Sequence, residues 1–476
     1  MKQNITKILF FLFLSCSMSA CKKELNVLPT TSQVDGNVIT DATSASTVLN
    51  GVYYRFAASG VDNNNVPTIL WSDPNEGLPS VLAGTMVSTI TGNAFGVHNY
   101  ISTSPFVDRI WTYGYGLVNA ANGFLKNVAP VNSIAAAKKT QMIAEAKFLR
   151  AYGDSELLLY YGQYNDISSA NGILLRTEFV DVSNINLPRA TVKASYDAII
   201  ADLDDAIAGL PALNTDIWYA NVSAAKLLKA RVLINRNAGG DMASVISLTN
   251  DVITSSSFTL ESNVKDIFWS KALTSNEVIL GVKPYTAPQQ DYKYQNYLYF
   301  NQYYGSDSLV SLLKNDPRNT WLYQYRSSTS YGTIASFTKY YPGVFPVTVA
   351  NPITENSYAF RLTEAYLLEA EALVTSGGDQ AKARTLLETV MSHAGLTDFS
   401  AVEAEHTNAG LQLLIAKESM KNFIGEAGQD WLALRRLPFA TVKAMVPSLT
   451  AQSLLILPVP EAEITSNSKM TQNPGY

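Results

Sequence analysis

Residues 42–476 are predicted to form one mainly α domain with long irregular loops and minor β structure. Three observations predict this. Apolar residues recur at three- and four-residue steps over most of the chain. Two segments share a helix, Gly-Gly-Asp, helix pattern, and no Pro/Ser-rich linker divides the body.

Taken in order, residues 1–20 read as a secretory leader. Lys2 and Lys7 flank the start of an apolar run over 8–14 that is too short for a membrane span, which needs about 20 apolar residues. Met18-Ser19-Ala20-Cys21 places small residues before a cysteine, as at a bacterial lipoprotein cleavage site, so Cys21 is expected to become the lipidated N-terminus. Residues 21–41, with Pro29 and no apolar period, read as a tether. The second cysteine, Cys16, leaves with the leader, so no disulfide forms and an exported chain must be held by core packing.

Helical periodicity then covers 44–58, 108–128, 134–161, 192–208, 224–235, 242–253, 358–375, 380–393 and 409–423. Ala230-Arg231-Val232-Leu233 leads to Gly239-Gly240-Asp241, and Ala370-Glu371-Ala372-Leu373 leads to Gly377-Gly378-Asp379. The glycines are expected to end the first helix of each pair in the left-handed conformation, and the Asp to cap the second. Small Ala residues let the paired helices approach closely, as in tetratricopeptide-type repeats, but the interval between the copies argues against a continuous solenoid. Residues 60–105 and 258–358 are long, irregular and rich in Gly, Asn, Ser, Thr and aromatics. Loops of that kind are the expected place for a ligand.

Composition narrows the chemistry. Without the leader the chain has 33 basic and 40 acidic residues, a net charge of −7, and no basic cluster beyond Lys22-Lys23 and Arg435-Arg436. That excludes nucleic acid as a partner. Only 16% of residues are charged, against about a quarter in ordinary globular domains, while 47% are apolar and 26 are tyrosines. The polar surface must therefore come from uncharged groups, which suit neutral, hydroxyl-rich ligands.

Catalytic and metal patterns are missing. His98, His393 and His406 lack metal-ligand spacing. Gly114-Tyr115-Gly116 sits in a helical pattern and has Asn119 where a phosphate loop needs its third glycine. No G-x-S-x-G elbow occurs, and a lipidated Cys21 is no nucleophile. Asp202, Asp204 and Asp205 are the densest acids, but they fall on the solvated face of an amphipathic helix. The Asp62-Asn63-Asn64-Asn65 run meets Pro67 where a calcium loop needs glycine. No metal, cofactor or enzymatic activity is expected.

Binding has better candidates. Residues 285–304 hold eight aromatics, among them Tyr292, Tyr294 and Tyr297, interleaved with amides such as Asn296. Aromatic faces cover the C–H patch of a pyranose and amides bond its hydroxyls. The same rings would equally serve a hairpin in which tyrosines pair across strands. Trp71 is a second stacking candidate, with Asp73 and Asn75 beside it, or else a ring that pins its loop to the helices. Trp321, after the turn Asp316-Pro317-Arg318, is placed to close the site.

Several blocks, collinear from Cys21 to Tyr476, are similar to those of the SusD-like (RagB/SusD) family. They are Leu49-Asn50-Gly51-Val52-Tyr53; Trp111, Tyr115, Val118 and Ala121-Asn122; and Glu145-Ala146-Lys147-Phe148-Leu149-Arg150-Ala151-Tyr152 with Tyr161-Gly162. Further blocks are Pro188-Arg189 with Tyr196; Arg361-Leu362 with Glu364 and Ala370-Glu371-Ala372; and the tail Leu457-Pro458-Val459-Pro460 with Gln472-Asn473-Pro474-Gly475-Tyr476. In one block Glu418-Ser419-Met420-Lys421-Asn422 replaces the usual E-R-x-x-E, which implies a lost ionic cluster. The resemblance implies a non-catalytic lipoprotein on the outer face of the outer membrane. Its partners would be a SusC-like TonB-dependent transporter and an oligosaccharide or, in some members, a peptide. The resemblance transfers no ligand residues. The matched positions are expected to make the fold, with Phe148, Leu149 and Tyr152 in the core and Glu145 and Arg150 in helix-to-helix ion pairs.

Overall fold

The computed structural model describes residues 38–57, 71, 73–282, 293–299, 301–342 and 353–476. The leader, Cys21 and most of the tether lie outside them. The chain is mainly α, as the periodicity predicts. Its long helices are α1 (Ala42–Ala57), α2 (Pro105–Val128), α3 (Ala136–Tyr161), α4 (Val192–Gly209), α5 (Val222–Arg236), α6 (Asp241–Ile253), α7 (Leu362–Thr375), α8 (Gln380–His393) and α9 (Asn408–Phe423). The shorter α10 (Gln429–Arg435) and α11 (Phe439–Met445) follow. Side-chain caps start several of them: Thr191, Asn221 and Thr407 accept from the backbone N–H groups of Ala194, Ala224 and Gly410. Among the described residues no helix is long and apolar enough to cross a membrane.

Successive helices pack in sequence, α2 on α3, α3 on α4, α4 on α5 and α5 on α6. The first of these crossings is close because of glycine. A Cβ on Gly114 would lie 2.6 Å from Leu157 Cγ, and one on Gly153 would lie 3.1 Å from the Gly114 carbonyl oxygen. Gly114 therefore serves helix packing. Phe148, Leu149 and Tyr152 are buried, as expected of core positions. Arg150 grips Asp202 through Nε and Nη2 at 2.6 and 2.7 Å, which ties α3 to α4. Glu145 departs from its expected role. Among the described residues it forms no ion pair; it accepts from the Tyr53 hydroxyl at 2.7 Å, and burial raises its carboxyl above the ordinary range.

The two Gly-Gly-Asp hairpins, far apart in the chain, are adjacent in space. Helix α6 packs on α7, with Ala230, Leu233, Val245, Leu368 and Ala372 in one apolar cluster. The stack is continuous although the chain is not, because the segment between the hairpins loops out and returns. The caps differ between the copies. Asp379 caps α8 by accepting from Lys382 N–H at 3.0 Å, and Gly377 takes φ 69°. In the first copy Asn237 and Gly240 hold the left-handed positions and Asp241 lies inside α6, bound to Arg236.

The strands are β1 (Met86–Ser88), β2 (Val278–Val282), β3 (Tyr303–Gly305), β4 (Tyr323–Ser328), β5 (Gly332–Phe337) and β6 (Ser357–Arg361). One antiparallel sheet has the order β1-β3-β5-β4, and β2 pairs with β6. Residues 358–361, expected to begin a helix, are instead a strand that leads into α7. Both faces of β6 are buried, Arg361 within an internal ion pair, so no solvent-facing side separates this strand from a helix in the sequence.

Buried ion pairs thread the core. Arg361 bonds Glu277 at 2.5 Å and Glu426 at 2.5 and 2.9 Å, and Lys339 joins Glu426 at 2.9 Å. The ionic cluster expected to be lost beside Met420 is present. Arg318 reaches Asp316 at 2.6 Å and Glu418 at 2.7 Å, and Lys421 Nζ lies 3.1 Å from Asp316. Lys421 supplies a cation from one helical turn beyond Glu418, which a motif comparison by position does not register.

Candidate ligand-binding face

The four-stranded sheet joins the two long irregular regions: β1 comes from the first, and β3, β4 and β5 come from the second. Most of the rings the sequence offers as stacking platforms are buried in the core. Trp71 is 2% exposed and meets Phe56 edge-on at 6.2 Å. Asn75 is buried, accepts from the Tyr152 hydroxyl at 2.9 Å and donates to the Trp71 carbonyl at 3.1 Å, so it fastens this turn to α3. Tyr297 packs among Tyr303, Phe337 and Tyr340, and Trp321 stacks on Phe268 at 6.0 Å. Tyr294 is buried too, and its backbone N–H donates to Glu355 at 3.0 Å. A stacking ring must offer a face to its ligand, and Trp71, Tyr294, Tyr297 and Trp321 offer theirs to the core. Tyr292 and the side chains of Asp73 and Asn296 lie outside the described residues.

Other rings are open. Partners across antiparallel strands share a face. The register sets Tyr304 opposite Ser336 and Val87, Gln324 opposite Ser336, and Arg326 opposite Ile334. Tyr304, Gln324 and Arg326 thus project from one side. At the turn between β4 and β5, Tyr331 is 46% exposed and its ring centre lies 6.2 Å from that of Tyr304, with the planes 33° apart. Arg326 Nη2 donates to Asn301 Oδ1, which holds the guanidinium along this side. On the opposite side Tyr325, 62% exposed, meets Tyr323 edge-on at 5.6 Å. The pair Tyr304 and Tyr331, flanked by an amide and a guanidinium, combines ring faces with hydrogen-bonding groups. Sequence reasoning missed Gln324, Tyr325, Arg326 and Tyr331. The alternation from Tyr323 to Arg326, running into a Ser/Thr turn, was the signal for an edge strand with one open side.

Two carboxyls are raised to about 7, the range of a general acid, and both are sealed off. Burial raises Glu156 and Asp430, and both lie in the core, with Asp430 accepting from the Ser80 hydroxyl. His98 is buried as well and is lowered to about 4 by desolvation, with Nδ1 2.9 Å from Ser448 Oγ. Asp204 and Asp205 bind Lys229 and Lys147 on the helix surface. Among the described residues no group of His, Cys, Asp and Glu is arranged to hold a metal ion.

Residues 73–234 match the family described as starch-binding associating with outer membrane, and residues 281–454 match the SusD family. No curated protein matches the chain. Similar solved structures include a SusD superfamily protein from Bacteroides thetaiotaomicron, 20% identical, covering 92% of this chain and 100% of that one with a TM-score of 0.75. A protein from Bacteroides vulgatus named a putative sugar binding protein is 21% identical over 92% of this chain and 100% of its own, with a TM-score of 0.71. A laminarin-binding SusD-like protein is 22% identical over the same shares, also with a TM-score of 0.71.

Proposed function

Because the chain belongs to the SusD family, we propose that it binds oligosaccharides at the surface of the outer membrane and passes them, unmodified, to a SusC-like TonB-dependent transporter. Lipid on Cys21 anchors it there. The observation that carries the glycan reading is the open pair Tyr304 and Tyr331 with Gln324 and Arg326 beside it. Ring faces take the apolar side of a pyranose, while amide and guanidinium N–H groups donate to its hydroxyls. The descriptions of the matched family and of the sugar- and laminarin-binding neighbours support the same ligand class.

The test is calorimetric titration of starch and laminarin oligosaccharides into the wild type, Tyr304→Ala and Tyr331→Ala. Truncating a central stacking ring costs about 2 kcal/mol or more, a tenfold loss or greater in affinity. Tyr331→Ala should leave the melting temperature unchanged, since its ring is largely outside the core. Wild-type affinity in both variants would place the glycan elsewhere.

A further inference from the structure

A cleft of about 580 Å³ opens between the short helix Asp307–Leu312, α9 and α11. Its wall is mixed. Met420 and Met445 supply apolar surface, while Asp307, Ser308, Ser311 and Lys417 bring polar side chains that solvent reaches. Lys421, also in the wall, is taken up by Asp316 and Glu418 at 3.1 and 3.7 Å. The other four are not. Among the described residues the side chains of Asp307, Ser308, Ser311 and Lys417 enter no hydrogen bond or ion pair with protein, so each can turn to a ligand without breaking one.

The cleft continues the tyrosine face. Only Gly305 and Ser306 separate Tyr304 on β3 from Asp307 in the cleft wall. The ladder of β1 and β3 extends past the Met86–Gly305 pair, for the Ser306 N–H donates to the Thr85 carbonyl at 3.0 Å. Thr85, another residue of the wall, therefore falls on the side of the sheet that carries Val87 and Tyr304. The Tyr304 hydroxyl also feels this wall: it is raised by burial, by Tyr331 and by the carboxylate of Asp307. A ligand lying on Tyr304 has the cleft next in line.

We propose that the cleft takes the sugar units that follow those on Tyr304 and Tyr331, which makes the ligand a neutral chain of several units rather than a disaccharide. The proposal rests on the glycan reading above. A carboxylate accepts from ring hydroxyls, an ammonium donates to them, serine hydroxyls do either, and the two methionines meet the C–H face of the ring. Because cation and anion are both present, neither charge is called for on the sugar. A volume of about 580 Å³ lies well inside the range of small-molecule sites, roughly 300–1,000 Å³, and holds more than one pyranose ring.

The test is calorimetric titration of disaccharides and hexasaccharides of starch, laminarin, xylan and mannan into the purified full-length protein and its Lys417→Met, Asp307→Asn and Ser311→Phe variants, with melting temperature followed throughout. For the glycan that binds, the hexasaccharide should be at least tenfold tighter than the disaccharide. Each variant should cut that preference at least threefold at an unchanged melting temperature, Ser311→Phe by filling the cleft with both charges in place. Tyr331→Ala should weaken both lengths. A preference no larger than the few-fold that the extra registers of a longer chain supply, or one that all three cleft variants leave intact, would overturn the extension while the tyrosine site stands. Absence of saturable binding by every hexasaccharide would remove the glycan reading, and this extension with it. Loss of preference only in step with melting temperature would assign these residues to folding and refute the site as well.

Discussion

Glu364→Gln probes the seam between the two helical hairpins. Arg231 on α5 and Glu364 on α7 are both buried, and the guanidinium meets the carboxylate at 2.8 Å through Nε and again at 2.8 Å through Nη2. Nη2 also donates to the Ala359 carbonyl at 3.1 Å, and the cation lies 4.3 Å from the centre of the Phe360 ring. The amide keeps the shape of the carboxylate but removes its charge, so the guanidinium stays in the core without its bonded counter-ion. Breaking one side of such a pair costs about 3–5 kcal/mol, whereas replacing both sides with apolar residues of similar volume is often near neutral. Glu364→Gln and Arg231→Met should therefore each destabilise by about 3–5 kcal/mol, and Arg231→Met with Glu364→Leu should recover most of that loss. Denaturant midpoints at constant slope, read by circular dichroism, give the three values. A loss below about 1 kcal/mol for Glu364→Gln, or a double variant as unstable as the sum of the singles, would show that the pair does not join the hairpins as argued.

Other outcomes follow from burial and from the proposed lipid anchor. Trp71→Ala should cost about 3–5 kcal/mol and lower the melting temperature, with glycan affinity lost only as the protein unfolds; tenfold weaker binding at unchanged stability would return Trp71 to the ligand site. Asp430, raised to about 7 by burial from an ordinary 3.8, contributes stability that is full below about pH 4 and is lost as pH rises through 7. The melting temperature of Asp430→Asn relative to wild type should therefore climb between pH 5 and 8, and a flat difference would contradict the shift. Cys21→Ala should move the protein from the membrane fraction to the soluble one while leaving it folded, and unchanged retention would refute lipid anchoring.

Helix positions were legible because a helix with one buried stripe writes that stripe into the sequence at a 3.6-residue period. Helix α8 begins and ends where the pattern does, and α6 is off by one residue at its start. The period fails where an element is buried on all sides. Strand β6 has no exposed face, so its run merged with that of α7. The stacking of the two hairpins was illegible for a different reason. It depends on the path of residues 254–357, and the chain interval says nothing about a return in space. Ion pairs were read by motif, so Lys421 was not recognised as the cation that completes the cluster with Asp316, Arg318 and Glu418.

The candidate site was hardest to read because one residue type serves two ends. An aromatic side chain buries about 150–250 Å², worth roughly 4–6 kcal/mol at about 25 cal/mol per Å². In a chain with 16% charged residues, a ring therefore contributes more inside than outside, and a dense run of rings points first to the core. Tyr294 and Tyr297 follow that rule. The open rings are found by parity instead. Tyr325 is two residues from the buried Tyr323 on an edge strand, past the end of the buried part of its face, and Tyr331 stands in the turn beyond a run of Ser and Thr. Neither position leaves a ring a core to enter. In this sheet the open rings are set by strand register and turn position, more than by local tyrosine content.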